Sequence, residues 1–356
     1  MLKDLLAIAR GFELKGEILD ISCYGEGHIN STFIVKTSEK RYILQIINHF
    51  VFKDVDLLMN NINEVTKFIR SKGQESLEII PAKSGKLYLL QDDVYYRVFV
   101  FVENTICYQK PENLELVESA GASFGVLHQA LNDFPVEKIK ETIPHFHDTE
   151  KRFNDFLDAL NKASDELKEN SKNEINYIFA HKETYCVINN ALKNKEVLMR
   201  VTHNDTKINN ILFDATTGKF RCVIDLDTVM PGSVLFDIGD AFRGMFSGEN
   251  EDNKDTSLLK VDFDVYKAYT KAYLGKMKND LTKKEIELIP FSIYLMTIEC
   301  GIRFLEDYLR GNVYFATKYK EHNLVRARTQ IALAEDVLRN LDKLNKITEE
   351  IVNELN

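Results

Sequence analysis

No block of lysine or arginine occurs anywhere in this 356-residue chain, and its formal net charge is −9. Neutralising a nucleic-acid backbone takes clustered positive charge, so nucleic acid is excluded as a partner. Cysteine is scarce. Cys23, Cys107, Cys186, Cys222 and Cys300 are dispersed, odd in number and free of any C-x-x-C spacing. That pattern excludes a disulfide framework and a cysteine zinc site, and fits reduced thiols in a cytoplasmic protein. No H-E-x-x-H occurs, and His145 and His147 flank Phe146 with no cysteine partner, so both read as surface or loop histidines. No apolar run approaches the ~20 residues of a membrane span, so no membrane association is expected. In the opening segment Leu2, Leu5, Leu6 and Ile8 sit beside Lys3, Asp4 and Arg10. This is too short and too charged for a signal peptide, and an amphipathic starting helix is expected. G-x-x-x-x-G-K-[ST] is missing as well; Gly218-Lys219 and Gly275-Lys276 lack the rest of it, which excludes a P-loop enzyme. Gly121-Ala122-Ser123-Phe124-Gly125 matches a nucleophile elbow in letters only, because no strand precedes it and the surrounding apolar pattern is helical. Its small residues are expected to allow close helix packing.

What is present is a chain with 44% hydrophobic and 28% charged residues, enough for a large core under an ordinary surface. Ile18 to Cys23 reads as a strand, followed by the glycine turn Tyr24-Gly25-Glu26-Gly27-His28-Ile29-Asn30. Phe33 to Thr37 and Tyr42 to Ile47 are strand-like. Val55, Leu58, Ile62, Val65 and Ile69 recur at helical spacing, with Gly73 where a helix stop belongs. Lys86 to Leu90 and Val94 to Val102 form a hairpin pattern around Gln91-Asp92-Asp93. Beyond about Glu103 the periodicity turns helical: from Leu114, over Lys151 to Leu167, over Glu174 to Leu192, and through most of Phe263 to Asn356. Ala163 to Asn173 reads as a solvated helix end and loop, and short strands flank Val201 to Asp227. The expected architecture is α+β: a lobe over residues 1–102 with a small antiparallel sheet and one helix, and a larger, mainly helical lobe over 103–356, joined near Phe101 to Asn104.

The chemistry concentrates in Val201-Thr202-His203-Asn204-Asp205-Thr206-Lys207-Ile208-Asn209-Asn210 and in Cys222-Val223-Ile224-Asp225-Leu226-Asp227. Phosphoryl transfer to an alcohol needs a carboxylate to orient the attacking hydroxyl and accept its proton. It also needs hard oxygen ligands to hold magnesium against nucleotide phosphates. Asp205 is assigned as the base, and Asn210 and Asp225 as magnesium ligands. His203 is expected to brace the loop. Lys207 reads equally as a phosphate contact or as a surface lysine.

This pattern resembles the aminoglycoside phosphotransferase superfamily, which shares the protein-kinase-like two-lobed fold with choline and homoserine kinases. Phe236-Asp237-Ile238-Gly239-Asp240 resembles the D-x-x-D segment that buttresses the catalytic loop there. His203 to Lys207, Val223 to Pro231, Glu299 to Leu309 and Val313-Tyr314-Phe315 look like N-acetylhexosamine 1-kinases. The resemblance implies ATP and Mg2+ as cofactors and transfer to the anomeric hydroxyl of N-acetylglucosamine or N-acetylgalactosamine. It places Arg303 and Tyr314 in the sugar pocket, with Asp227 and Thr228 nearby. From the residues alone, Arg303 reads as an ion pair with Glu299 or Asp307 one helical turn away, and Tyr314 as a packing tyrosine. Gly25 and Gly27 are expected over the ATP phosphates, with Phe101 and Glu103 beside the adenine and His28 and Asn30 facing the acceptor. Tyr42 to Ile46 departs from the family: Gln45 stands where a phosphate-binding lysine is expected, with Lys36, Lys53 or Arg97 left as substitutes. Alternatives are another acceptor, such as an aminoglycoside, choline, homoserine or another sugar, and a nucleotide-binding pseudokinase scaffold. A monomer or weak homodimer is expected.

Overall fold

The computed structural model describes residues 2–25, 31–246 and 252–356. In chain order, helix α1 (Leu2–Ala9) precedes strands β1 (Ile18–Cys23), β2 (Ser31–Thr37) and β3 (Arg41–Ile47). Helix α2 (Val55–Ser71) leads to β4 (Ile79–Ile80), β5 (Leu89–Gln91), β6 (Val94–Val100) and β7 (Thr105–Ile106). Helices α3 (Leu114–Leu131), α4 (Thr149–Lys162), α5 (Asp165–Asn170), α6 (Lys172–Ala180) and α7 (Val187–Lys193) follow. Strands β8 (Arg200–Thr202), β9 (Ile211–Asp214) and β10 (Phe220–Val223) flank the chemistry-bearing segment. Helices α8 (Val234–Phe246), α9 (Phe263–Met277), α10 (Lys283–Leu309), α11 (His322–Arg339) and α12 (Leu341–Glu354) complete the chain.

The described chain falls into two compact units. One comprises residues 1–107, 133–144 and 211–230; the other comprises 108–132, 145–210 and 231–356. The first unit is built on an antiparallel sheet in the order β1-β2-β3-β6-β4, with β5 also on β6, and a second sheet β10-β9-β7. Its core packs Leu5, Ile8 and Phe12 from the start of the chain against Val35, Tyr42, Leu44 and Val98 from the strands. Aliphatic and aromatic residues alternate inward on β2 and β3, which is why these segments pair as strands. Asp92 and Asp93 both hold positive φ, 52° and 59°, the geometry that closes a tight hairpin with the twist of its strands. Helix α2 is capped by Asp54, whose side chain accepts from the Leu57 amide.

The second unit is helical. α10 runs through its core and packs on α4, α8, α11 and α12, while α3 lies on α9. Thr282 and Glu285 form a capping box that starts α10. Here the expectation about long apolar segments needs correction. α10 is long and apolar enough to cross a membrane, with a mean hydropathy of 1.5 over its best window, yet 83% of that window is buried inside the protein. Its apolarity serves a core surrounded by helices. Gly121 and Gly125 do permit close helix packing: a Cβ on Gly121 would stand 2.5 Å from the Tyr269 carbonyl oxygen of α9. Two helix boundaries differ from the sequence reading. The run from Glu174 to Leu192 is broken after Ala180, and the polar stretch Ala163 to Asn173 holds α5 and the start of α6. Ser164 caps α5 by accepting from the Leu167 amide, a local hydrogen bond that starts a new helix where apolar periodicity gives no signal.

Candidate active site

The loop after β8 is organised by one buried carboxylate. Asp237, on the first turn of α8 and 1% exposed, accepts from the His203 amide at 2.7 Å and the Asn204 amide at 2.6 Å. It also meets His128 Nε2 of α3 at 2.8 Å. Asp240, one turn on, accepts from the Thr206 amide at 3.2 Å and from Arg243 Nε at 2.9 Å. The D-x-x-D segment therefore braces the loop through its amides. Burial pushes the Asp240 carboxyl up, but Arg243, Lys207 and His147 outweigh it and hold the group below its ordinary value. His203 is fully buried and accepts from the Asp205 amide through Nδ1 at 3.2 Å, a bracing role.

Asn204 sits at φ 63°, a left-handed conformation that turns the chain just ahead of Asp205. The Asp205 carboxylate is half-buried, with one oxygen 2.8 Å from Lys207 Nζ. Burial would lower Lys207, and Asp205 and Asp240 outweigh it, so the ammonium is held above its ordinary value. The 3₁₀ turn Ile208–Asn210 folds Asn210 back, and its Nδ2 donates to the Asp205 carbonyl at 2.8 Å. With the nitrogen so engaged, Oδ1 takes no hydrogen bond among the described residues and is left as a hard oxygen donor. Asp225 lies in the first unit at φ 57° and ψ 55°, ahead of the turn Leu226–Thr228, and it is exposed. A non-glycine residue in this region costs of order 1–3 kcal/mol and persists only where its surroundings fix it. Asn210 in the second unit and Asp225 in the first each offer an oxygen of the hard kind that magnesium takes.

The other predicted positions divide between the units. Gly25, two residues beyond β1, sits at φ 71°, a conformation that favours glycine; Gly27, His28 and Asn30 lie outside the described residues. Phe101 and Glu103 follow β6. The Phe101 amide donates to the Arg41 carbonyl, the Arg41 guanidinium covers the Phe101 ring at 4.2 Å, and Glu103 pairs with Arg41 Nε at 2.9 Å. Among the described residues the Phe101 carbonyl and the Val102 and Glu103 amides take no hydrogen bond, leaving the acceptor and donors that an adenine edge needs. Gln45, on β3, is bound to neighbouring side chains: it accepts from Arg97 Nε at 3.0 Å and donates to Thr32 Oγ1 at 3.1 Å. Asp227 is buried at 4% exposure and takes both ends of the Arg97 fork; Thr228 beside it is buried too.

On α10 the ion pairs foreseen for Arg303 do not form. Glu299 is buried and accepts from Thr149 Oγ1 at 2.6 Å and meets His147 Nδ1 at 2.8 Å. Asp307 accepts from the Val313, Tyr314 and Phe315 amides at 2.9, 2.8 and 2.9 Å. Arg303 is therefore left without a carboxylate among the described residues, its guanidinium 5.6 Å from the centres of both the Phe146 and Phe315 rings. Burial, and then the like charge of Arg303, lowers neighbouring Arg152. Tyr314 is 64% exposed, so it is not a packing tyrosine, and its ring stands edge-on to Phe315 at 4.8 Å. His147 corrects the surface reading of that histidine: its side chain is 7% exposed and its Nε2 lies 3.3 Å from the Asn204 carbonyl oxygen. Within the second unit, Phe146 and His147 thus link the loop carrying Asp205 to Arg303, Phe315 and Tyr314.

A family model described as the phosphotransferase enzyme family matches residues 20–269. Among solved structures, a microcompartment-associated aminopropanol kinase is 14% identical, with a TM-score of 0.65, covering 97% of this chain and 99% of its own. An aminoglycoside phosphotransferase from Alicyclobacillus acidocaldarius is 15% identical, with a TM-score of 0.63 and coverage of 97% and 96%. A spectinomycin phosphotransferase in complex with ADP and spectinomycin is 12% identical, with a TM-score of 0.54 and coverage of 95% and 98%. Likeness at such identities speaks for the fold, a kinase-like two-lobed α+β architecture with an antiparallel sheet in its N-terminal region and helices in its C-terminal region.

Proposed function

Because this chain belongs to the phosphotransferase enzyme family, matched over residues 20–269, we propose that it transfers the γ-phosphoryl group of ATP to the anomeric hydroxyl of an N-acetylhexosamine. That it is a small-molecule phosphotransferase follows from the family; the acceptor is our reading. The observation that carries it is Arg303. A guanidinium with no carboxylate partner among the described residues, set between aromatic rings and close to a second arginine, donates to neutral or anionic oxygens and repels ammonium groups. The carboxylates within one turn on the same helix, Glu299, Glu306 and Asp307, are already engaged with other groups. A ring-and-hydroxyl substrate with an amide fits this lining; a cationic amine does not.

In this reading Asp205 orients the anomeric hydroxyl and takes its proton as the oxygen attacks. Lys207 holds one Asp205 oxygen, and Asn210 holds the loop carbonyl, so the carboxylate presents a fixed face. Asn210 Oδ1 and Asp225 are the oxygens that would hold magnesium, which when bound neutralises charge on the nucleotide phosphates. Gly25 belongs to the phosphate turn, and the peptide groups from Phe101 to Glu103 receive the adenine.

A second reading, transfer to an amino alcohol or aminoglycoside, is favoured by the rings of Phe146, Phe315 and Tyr314, which suit a cation. Arg303 among those rings opposes it. ATP turnover measured side by side with N-acetylglucosamine, N-acetylgalactosamine, galactose, choline and kanamycin separates the two. The N-acetylhexosamines are expected to give the highest kcat/KM. Turnover confined to choline or kanamycin would refute the sugar assignment, and nucleotide binding without turnover on any acceptor would favour a scaffold.

A further inference from the structure

Thr32, Gln45 and Arg97 form one row across three strands. Thr32 stands opposite Gln45 in the β2–β3 ladder, and Gln45 stands opposite Arg97 in the β3–β6 ladder. Their side chains are joined in sequence: Gln45 Nε2 donates to Thr32 Oγ1 at 3.1 Å, and Arg97 Nε donates to Gln45 Oε1 at 3.0 Å. The two ends of the Arg97 guanidinium then take both oxygens of Asp227, with Nη2 to Oδ2 at 3.0 Å. The side chains of the pair are 2% and 5% exposed. A planar guanidinium on a carboxylate in this fork arrangement is held in direction as well as in distance.

The same turn is pinned from two other places in the first unit. Asn61, fully buried on α2, donates to the Val229 carbonyl at 3.1 Å and the Lys140 carbonyl at 2.7 Å. Thr142 Oγ1 donates to the Asp227 carbonyl at 3.3 Å. Asp225 stands two residues before Asp227 in its left-handed conformation. A strained residue of this kind keeps its geometry only if its neighbours over-determine it.

We propose that Arg97, braced by Gln45, is a positioning residue for the Asp225–Asp227 turn, and that Asp227 acts through Arg97 and contacts neither metal nor acceptor. Gln45 is then not a phosphate ligand. It is the uncharged spacer that lets a buried arginine occupy the next strand, because a lysine at 45 would set two cations side by side. This inference rests on Asp225 being the metal ligand of the proposed reaction.

The test compares Arg97→Gln, Asp227→Asn, the double variant and Gln45→Lys. Calorimetry with Mn2+ and a non-hydrolysable ATP analogue reads the metal–nucleotide site without any acceptor, and kinetics with the preferred acceptor give kcat and both KM values. Each single variant is expected to weaken metal–nucleotide binding about 10–100-fold, the range seen when a group that orients a metal ligand is lost. The double variant should be no worse than the poorer single, and the acceptor KM should stay within about twofold, since residues acting as one unit are not additive. Gln45→Lys should weaken nucleotide binding. If Arg97→Gln fails to fold, Arg97→Met with Asp227→Leu replaces the buried pair by apolar groups, a change proteins tolerate, and the comparison is repeated on it. Additive losses, a raised acceptor KM in Asp227→Asn alone, or tighter nucleotide binding in Gln45→Lys would overturn the proposal. If no acceptor is turned over, the calorimetry still decides it, so failure of the acceptor assignment and failure of this inference are told apart.

Discussion

Asp205 is the proposed base. Replacing it with asparagine keeps the size and the contact with Asn210 but removes proton acceptance. Asp205→Asn is expected to lower kcat by roughly 10²–10⁴-fold while nucleotide affinity, measured by calorimetry, changes little. Arg303 tests the acceptor side. Arg303→Leu keeps bulk between Phe146 and Phe315 and removes the donors; the acceptor KM should rise about 10–100-fold, as for a lost charged hydrogen bond, with ATP KM unchanged. A rise in ATP KM alone would move Arg303 out of the acceptor pocket. The loop around Asp205 was legible in the sequence because His203, Asp205 and Asn210 stand at a spacing that one tight turn can fold together. The partners of Arg97, Glu299 and Asp307 were not, because sequence separations of 130 and 152 residues carry no local signal. The Asp307 contacts with the Val313, Tyr314 and Phe315 amides, within eight residues, needed the actual turn after α10.

At the scale of elements, α8 is the support of the loop that carries Asp205. Its two carboxylates replace the hydrogen bonds that the loop amides would otherwise make to water. Asp240 has its charge favoured in the folded state, so the stability it supplies is present above the unfolded value near pH 4 and is lost as pH falls through its lower folded value. The urea midpoint should therefore be level above about pH 5 and fall below about pH 4, and Arg243→Met, which removes the strongest partner favouring the charge, should shrink that acid loss. A midpoint indifferent to acid would contradict this. Close packing of α8 on α10 depends on Gly239, whose added Cβ would lie 2.3 Å from the Ser292 carbonyl oxygen. Gly239→Ala should cost about 1–3 kcal/mol in urea unfolding, the usual range for overpacking. Strands β1 to β3 and helix α2 were readable because alternation and helical periodicity are strong there. The two-residue strand β4 escaped because so short a segment has no period, and α5 escaped because it is polar and solvated.

For the whole molecule, a net charge of −9 opposes long-range trapping of an anionic product. The two-lobed plan was legible from the change of periodicity near Glu103. The finer partition was not: residues 211–230 belong to the first compact unit although they lie deep in the helical half of the chain, because β9 and β10 pair with β7 in one sheet. Sheet pairing is a long-range choice that composition does not reveal. The most direct test of the central claim is phosphorus NMR of the product formed by the wild-type protein from ATP, magnesium and N-acetylgalactosamine or N-acetylglucosamine. The account predicts a sugar phosphate resonance coupled to the anomeric proton. A phosphate on any other hydroxyl, or ATP left intact with both sugars while an amino alcohol is phosphorylated, would contradict it.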